Sequence, residues 1–200
     1  MEFEAGREVL RDREIRNKVA FDLDGVLIDI HQELVNNIRD QTGCDLSNHT
    51  EYSMIGGGVT RANFDMALKR IYSNYKSTII AEGAQELIRK LWEKVKEPIM
   101  IVTARRAQFA TETHAVVCRV MGKVPYCLIF SNGFGNKALY LRDYLYFVED
   151  NGETARYLAE KCGKTIFLIS KQYNAGVLHS RVISVDGLRD LLPLVRLFVS

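Results

Sequence analysis

Short runs of apolar residues bounded by polar or turn-forming ones recur along the chain, and stretches with helical spacing separate them. The runs are Val19 to Leu23, Ile99 to Thr103, Tyr126 to Ser131, Tyr144 to Val148, Thr165 to Ile169 and Val182 to Val185. Most are almost continuously hydrophobic, as strands covered on both faces of a parallel sheet should be. Ala107 to Met121, Lys137 to Tyr144, Gly152 to Cys162 and Gly187 to Phe198 place apolar residues at helical intervals. Strand and helix in alternation predict an α/β fold with a doubly wound, Rossmann-like parallel sheet.

The first interval breaks this rhythm. About 75 residues lie between Leu23 and Ile99, whereas a whole strand–helix–strand unit takes about 30 or somewhat more. Glu82 to Lys96 serves as the crossover helix, with Leu87, Ile88, Leu91 and Trp92 in one stripe. The rest predicts amphipathic helices over Ile30 to Thr42 and Thr60 to Tyr75, with Gly56-Gly57-Gly58 between them. This reads as a small helical cap inserted after the first strand, over the carboxyl edge of the sheet. The expected layout is an N-terminal arm or helix over 1–18, an α/β core from 19–29 and 81–200, and a cap over 30–80.

Composition adds limits. Two hundred residues, 47% hydrophobic and 26% charged, make one ordinary globular core and exclude a disordered or low-complexity chain. Lys and Arg total 27 against 25 Asp and Glu, so a net charge of +2 advertises neither nucleic acid nor an anionic membrane. The longest apolar-leaning uncharged stretch, Val124 to Asn136, is too short to span a bilayer. Before Val19 the chain carries five acidic and five basic residues and no apolar segment of the secretory type, so a cytoplasmic protein is expected. Cys44, Cys118, Cys127 and Cys162 form no CxxC pair and fit reduced thiols. The mixed-charge arm suits packing on the core or on a second copy, which leaves a homodimer open.

The candidate chemistry sits at the strand ends. In Phe21-Asp22-Leu23-Asp24-Gly25-Val26 an apolar strand runs into two carboxylates and a glycine that permits a tight turn. Open α/β sheets bind ligands at that edge. A single Asp there is ordinary turn chemistry, but two near-adjacent anions call for a cation or a shared proton. A second strand, Tyr144 to Val148, runs into Glu149-Asp150-Asn151-Gly152. Those acids also suit a helix N-terminus, yet with Asp22 and Asp24 they offer hard oxygen ligands for a divalent ion such as Mg²⁺. Between them, Val102-Thr103-Ala104-Arg105 ends a strand in a hydroxyl ahead of a predicted helix, a candidate phosphate cradle and equally an ordinary cap. Lys137 follows the turn Asn132-Gly133-Phe134-Gly135-Asn136.

In order, FDLDGV, VTAR, Lys137 and FVEDNGE resemble the four motifs of the haloacid dehalogenase (HAD) superfamily of Mg²⁺-dependent phosphohydrolases, and the resemblance runs from Val19 onward. It implies Asp22 as the nucleophile that forms an aspartyl phosphate and Asp24 as the general acid and base. It implies phosphate binding by Thr103 with the amides from Ala104 onward and by Lys137. Mg²⁺ would be held by Asp22, the main-chain carbonyl of Asp24 and Asp150, with Glu149 as an outer or alternate ligand.

Within that superfamily the short cap is similar to that of the 5'(3')-deoxyribonucleotidase branch. Glu82-Gly83-Ala84-Gln85-Glu86-Leu87 and Lys171-Gln172-Tyr173-Asn174 look like two further elements of that branch, with Glu82 and Gln172 standing where it has proline. The expected activity is hydrolysis of a small phosphorylated metabolite, a nucleoside 5'-monophosphate first. His31, Arg61, Tyr72 and Arg105 are the candidate substrate residues. The alternatives are a sugar-phosphate or phosphoglycolate-type phosphatase, a polynucleotide 3'-phosphatase, and a non-catalytic metabolite- or partner-binding protein. From Ile28 to Ile80 five basic residues face six acidic ones, which is no groove for a phosphate backbone and makes nucleic acid the weaker partner.

Overall fold

The computed structural model describes residues 18–46 and 54–199; the expected N-terminal arm therefore lies, apart from Lys18, outside the described residues. Six parallel strands, β1 (Val19–Phe21), β4 (Ile99–Thr103), β5 (Tyr126–Phe130), β6 (Tyr146–Glu149), β7 (Thr165–Ile169) and β8 (Val182–Val185), form one sheet in the order β5-β4-β1-β6-β7-β8. The chain builds outward from β1 through β4 to β5, then crosses back and builds the other way through β6. The reversal falls between β1 and β6, where the strands' carboxyl ends open a crevice for ligands.

Alternation along each strand divides the interior into two layers. Phe21, Ile101, Val148 and Phe167 join one cluster with Leu87, Ile88 and Leu91 of α3 (Ala84–Val95) and Val116 and Val117 of α4 (Ala110–Met121). Ala20, Val102, Phe147 and Ile166 point the other way, onto Leu141 and onto Ala155, Leu158 and Ala159 of α6 (Gly152–Cys162). β1 is wholly buried, so its last residues deliver Asp22 and Asp24 to the middle of the carboxyl edge.

The inserted segment is tied off by a two-stranded antiparallel ribbon, β2 (Ile28–Asp29) with β3 (Ile79–Ile80). Beyond it α1 (His31–Thr42) packs on α2 (Arg61–Ser73). α2 starts at Thr60, whose hydroxyl accepts from the Asn63 N–H while the Asn63 side chain accepts from the Thr60 N–H, a reciprocal capping box. On the core side, Arg119 of α4 donates to the Tyr75 and Thr78 carbonyls at 2.8 and 3.0 Å, fastening the returning chain.

Several expected boundaries move. The C-terminal segment is a 3₁₀ helix, Leu188–Arg196, instead of an α-helix over 187–198, because Pro193 has no N–H and its ring crowds the carbonyl one α-turn back. The helix expected over 107–121 opens with a 3₁₀ turn, Ala107–Phe109, before α4. After β5, α5 keeps only Lys137–Tyr140. It stops where the buried Leu141 drops into the second core layer and the Tyr144 N–H closes a turn on the Leu141 carbonyl. The next strand accordingly begins at Tyr146.

Candidate active site

Asp22, two residues from Asp24, leaves β1 with its N–H still donating to the Val148 carbonyl at 2.9 Å, so the sheet ladder fixes its backbone. The residue is 3% exposed. One oxygen, Oδ2, lies 2.8 Å from Lys137 Nζ, and the other, Oδ1, is buried without a hydrogen-bond partner. Lys137, the first residue of α5, has no exposed surface and also pairs with Glu149 Oε2 at 2.8 Å. Burial works against the ammonium, but the Asp22 and Glu149 carboxylates outweigh it and hold Lys137 protonated well above the ordinary lysine range.

Glu149 ends β6. Its Oε2 takes the Lys137 proton donor and its Oε1 accepts from the Asp150 and Asn151 N–H groups at 3.1 and 3.0 Å. Both oxygens are thus engaged within the protein. Asn151 caps α6, accepting from the Thr154 N–H at 2.8 Å. The helix start that the sequence also allowed is therefore real, but Asn151 caps it, leaving the Asp150 side chain for the site.

Asp150 is 2% exposed. Its Oδ2 accepts from the Tyr173 hydroxyl, its main-chain carbonyl accepts from Asn174 Nδ2 at 2.7 Å, and its Oδ1 is buried and unpartnered. Ligand oxygens of Asp22, Glu149 and Asp150 lie within 4.8 Å of one another. Around them four carboxylates, Asp24 included, meet two cationic side chains, Lys137 and Arg105. Burial, opposed by Lys137 and reinforced by Glu149, pushes Asp22 up to about 8. Burial and the Asp22 charge push Asp150 up to about 7. Two bare, inward oxygens on acids this costly to keep charged fit a hard divalent cation, as does the all-oxygen donor set.

Gly25 adopts a left-handed φ of 75°, and a Cβ there would collide with Asp150 Oδ2. The glycine after the DxD pair is thus required twice, by the turn and by the close approach of the opposing acid.

Asp24 has different surroundings. Arg105 donates from Nη2 to Oδ1 at 2.6 Å and from Nε to Oδ2 at 2.9 Å, and the Tyr72 hydroxyl donates to Oδ2 at 3.2 Å. Arg105, expected as a substrate contact, is therefore committed to Asp24. Its guanidinium lies 3.9 Å from the centre of the Tyr72 ring. Thr103 is fully buried at the end of β4 and accepts from the Arg105 N–H at 3.2 Å. The helical stretch expected from Ala107 does start there, as a 3₁₀ turn, and the loop 104–106 ahead of it forms this wall of the site.

A cavity of about 590 Å³ opens above Asp22 and Asp24, walled by Phe64, Met66 and Tyr72 of α2 and by Ala104, Arg105 and Phe109 of the core, with Arg61, Lys69 and Arg106 also lining it. Arg61 reaches it while paired with Asp65 at 3.1 Å. His31 is not part of this cavity. It sits behind the Gly25 turn, its ring 5.4 Å from that of Tyr173. The sequence reading left Tyr173 and Asn174 without a role. Their signal was the Lys171-Gln172-Tyr173-Asn174 stretch after β7, which carries them back to Asp150.

No protein-family model matches the sequence, and no curated protein matches it. Solved structures do. A HAD family hydrolase from Deinococcus radiodurans, determined with bound phosphate and sodium, superimposes with a TM-score of 0.61 at 14% identity over 92% of this chain and 97% of its own. CbbY from Rhodobacter sphaeroides in complex with phosphate gives 0.59 at 14% identity, covering 89% and 96%. A HAD-superfamily hydrolase of subfamily IA from Geobacter sulfurreducens gives 0.53 at 17%, covering 88% and 95%. At these identities the likeness is one of fold: the chain has the six-stranded α/β architecture of the HAD hydrolases. Among the described residues no helix is long and apolar enough to cross a membrane.

Proposed function

We propose that the protein is a HAD-type phosphomonoester hydrolase working through an aspartyl phosphate. The observation that carries this reading is Asp22: one oxygen is held by Lys137, the other is bare, and the residue lies on the floor of the cavity. Two neighbours of the same fold were determined with phosphate, which supports the class of substrate.

A carboxylate oxygen of Asp22 attacks phosphorus, and the bond to the leaving oxygen breaks as that oxygen takes a proton from Asp24. Water then attacks phosphorus, Asp24 accepts its proton, and the bond to the Asp22 oxygen breaks to restore the carboxylate. Lys137 offsets charge on Asp22 and on the phosphoryl oxygens it faces. Thr103, with the Ala104 N–H, receives the remaining phosphoryl oxygens. Asp22, Asp150 and the main-chain carbonyl of Asp24 would hold Mg²⁺, which when bound supplies positive charge that lets one anion approach another. With both its oxygens engaged, Glu149 fits an anchor for Lys137 better than a metal ligand.

Within this class we favour a nucleoside 5'-monophosphate. The cavity is large for a two- or three-carbon ester, and Phe64, Tyr72 and Phe109 give it an aromatic wall suited to a base. A sugar phosphate is the second reading, favoured by the fold likeness to a candidate β-phosphoglucomutase from Thermotoga maritima, TM-score 0.59 at 15% identity. Four free cysteines support the expected cytoplasmic location. Phosphate release from a panel of nucleotides and sugar phosphates, with Mg²⁺ or with EDTA, tests all of this. Mg²⁺-dependent turnover highest on nucleoside monophosphates and lost in Asp22→Asn is expected. Turnover confined to sugar phosphates transfers the substrate assignment, and no turnover of any ester removes the enzymatic one.

A further inference from the structure

Three separate parts of the chain converge on the Asp24 carboxylate. Asp24 follows β1, Arg105 belongs to the loop after β4, and Tyr72 lies in the last turn of α2, within the inserted cap. Arg105 holds both oxygens side-on, the geometry in which a guanidinium restricts a carboxylate most. Tyr72 adds a second donor to Oδ2. Its ring covers the guanidinium and meets Phe109 edge-on at 5.2 Å, so the hydroxyl is placed by packing between cap and core. Arg105 is 3% exposed and also reaches the Thr113 hydroxyl at 3.3 Å, which leaves its head group little freedom.

Charge balance alone explains Arg105 but not Tyr72. A neutral phenol contributes no charge; what it adds is direction, and it adds it from the cap. We propose that Arg105 and Tyr72 are positioning residues that aim the Asp24 carboxylate, and that the Tyr72 contact makes this aim depend on α2 being seated over the core. The proposal rests on the assignment of Asp24 as the proton-transfer group. Its consequence falls on the step in which Asp24 works as a carboxylate: the water oxygen bonds to phosphorus, the water proton passes to Asp24, and the Asp22 oxygen–phosphorus bond breaks with its electron pair returning to Asp22. A misaimed Asp24 slows this step. It barely touches phosphoryl transfer from an aryl ester, whose phenolate leaves without needing a proton.

Rapid-mixing kinetics with p-nitrophenyl phosphate and Mg²⁺ read the two steps apart. Tyr72→Phe keeps the ring and removes only the hydroxyl, and Arg105→Ala removes the clamp. The expected result is steady-state turnover lower by roughly tenfold in Tyr72→Phe and by about a hundredfold in Arg105→Ala, reflecting lost hydrogen bonds to a charged group. The first burst of p-nitrophenolate should meanwhile rise toward one per active site as phosphoenzyme accumulates. Burst and steady state falling together, with no accumulated phosphoenzyme, would overturn the proposal. If Arg105→Ala fails to fold, Tyr72→Phe decides the matter by the same comparison. Wild-type protein that releases no p-nitrophenolate, or an Asp22→Asn variant that still does, contradicts instead the phosphatase reading beneath it.

Discussion

Lys137 Nζ lies 2.8 Å from Asp22 Oδ2, and this one contact leaves Oδ1 as the oxygen of the buried carboxylate without a hydrogen-bond partner. The same ammonium is fixed from behind by Glu149 at 2.8 Å, so a short helix, a strand end and the first strand are locked at one point.

Removing the ammonium should therefore damage stability and activity together. Lys137→Ala leaves two buried carboxylates unpaired, and breaking a buried pair in this way costs about 3–5 kcal/mol. Urea unfolding of the metal-free protein should show that loss, with phosphate release lower by about a thousandfold or more. Lys137→Met combined with Glu149→Gln should regain much of the stability and none of the activity. Equal recovery of both would separate Lys137 from the chemistry.

Mg²⁺ should stabilise the folded protein through Asp22 and Asp150. Adding it at a hundred times its dissociation constant gives roughly 2.7 kcal/mol, read as a rise in melting temperature that EDTA reverses. Asp150→Asn should abolish most of that rise. A rise that survives in Asp150→Asn would place the cation elsewhere.

Gly25→Ala meets the Asp150 carboxylate and takes on a left-handed φ of 75°. The expected outcome is near-complete loss of Mg²⁺-dependent activity and of the Mg²⁺-induced melting shift, because Asp150 must swing away to admit the methyl group. Gly122→Ala, where nothing lies within 4 Å of the added carbon, is the control: it also pays for a left-handed φ and should keep its activity.

Arg119 holds the chain returning from the cap by two carbonyls, Tyr75 and Thr78. Arg119→Ala should loosen the ribbon and α2 without touching Asp22. Limited proteolysis near 74–80 should accelerate several-fold, and KM should rise more than kcat falls. Unchanged proteolysis would show that β2–β3 pairing alone fixes the cap.

The sheet was legible in the sequence because parallel strands buried on both faces are continuous apolar runs; Ile99–Thr103 and Thr165–Ile169 coincide with β4 and β7. The acids at strand ends were legible for the same reason, since a charged pair directly after a buried strand has few places to go. Lys137 was harder to read. Lys164 lies closer in the chain to the acidic pair's helix but donates its protons to the Arg142 and Tyr144 carbonyls, outside the site. The crossover from β5 to β6 brings Lys137, named from its place a few residues before the acidic strand, onto Asp22 and Glu149.

The partners of Asp24 could not be read from spacing at all. Tyr72 and Arg105 lie 48 and 81 residues away, and what brings them together is the seating of α2 on the core. The C-terminal segment misled in the opposite way. Leu188, Leu191 and Val195 are buried at intervals an α-helix would also give, yet Pro193 selects the 3₁₀ form.

The central claim is a covalent phosphoryl group on Asp22. Rapid quenching of wild-type protein during turnover of a phosphomonoester with Mg²⁺, followed by peptide mass analysis, should find a phosphoryl adduct on the segment containing Asp22 and none in Asp22→Asn. Turnover that leaves no adduct on Asp22, together with phosphate release persisting in Asp22→Asn, would contradict the account.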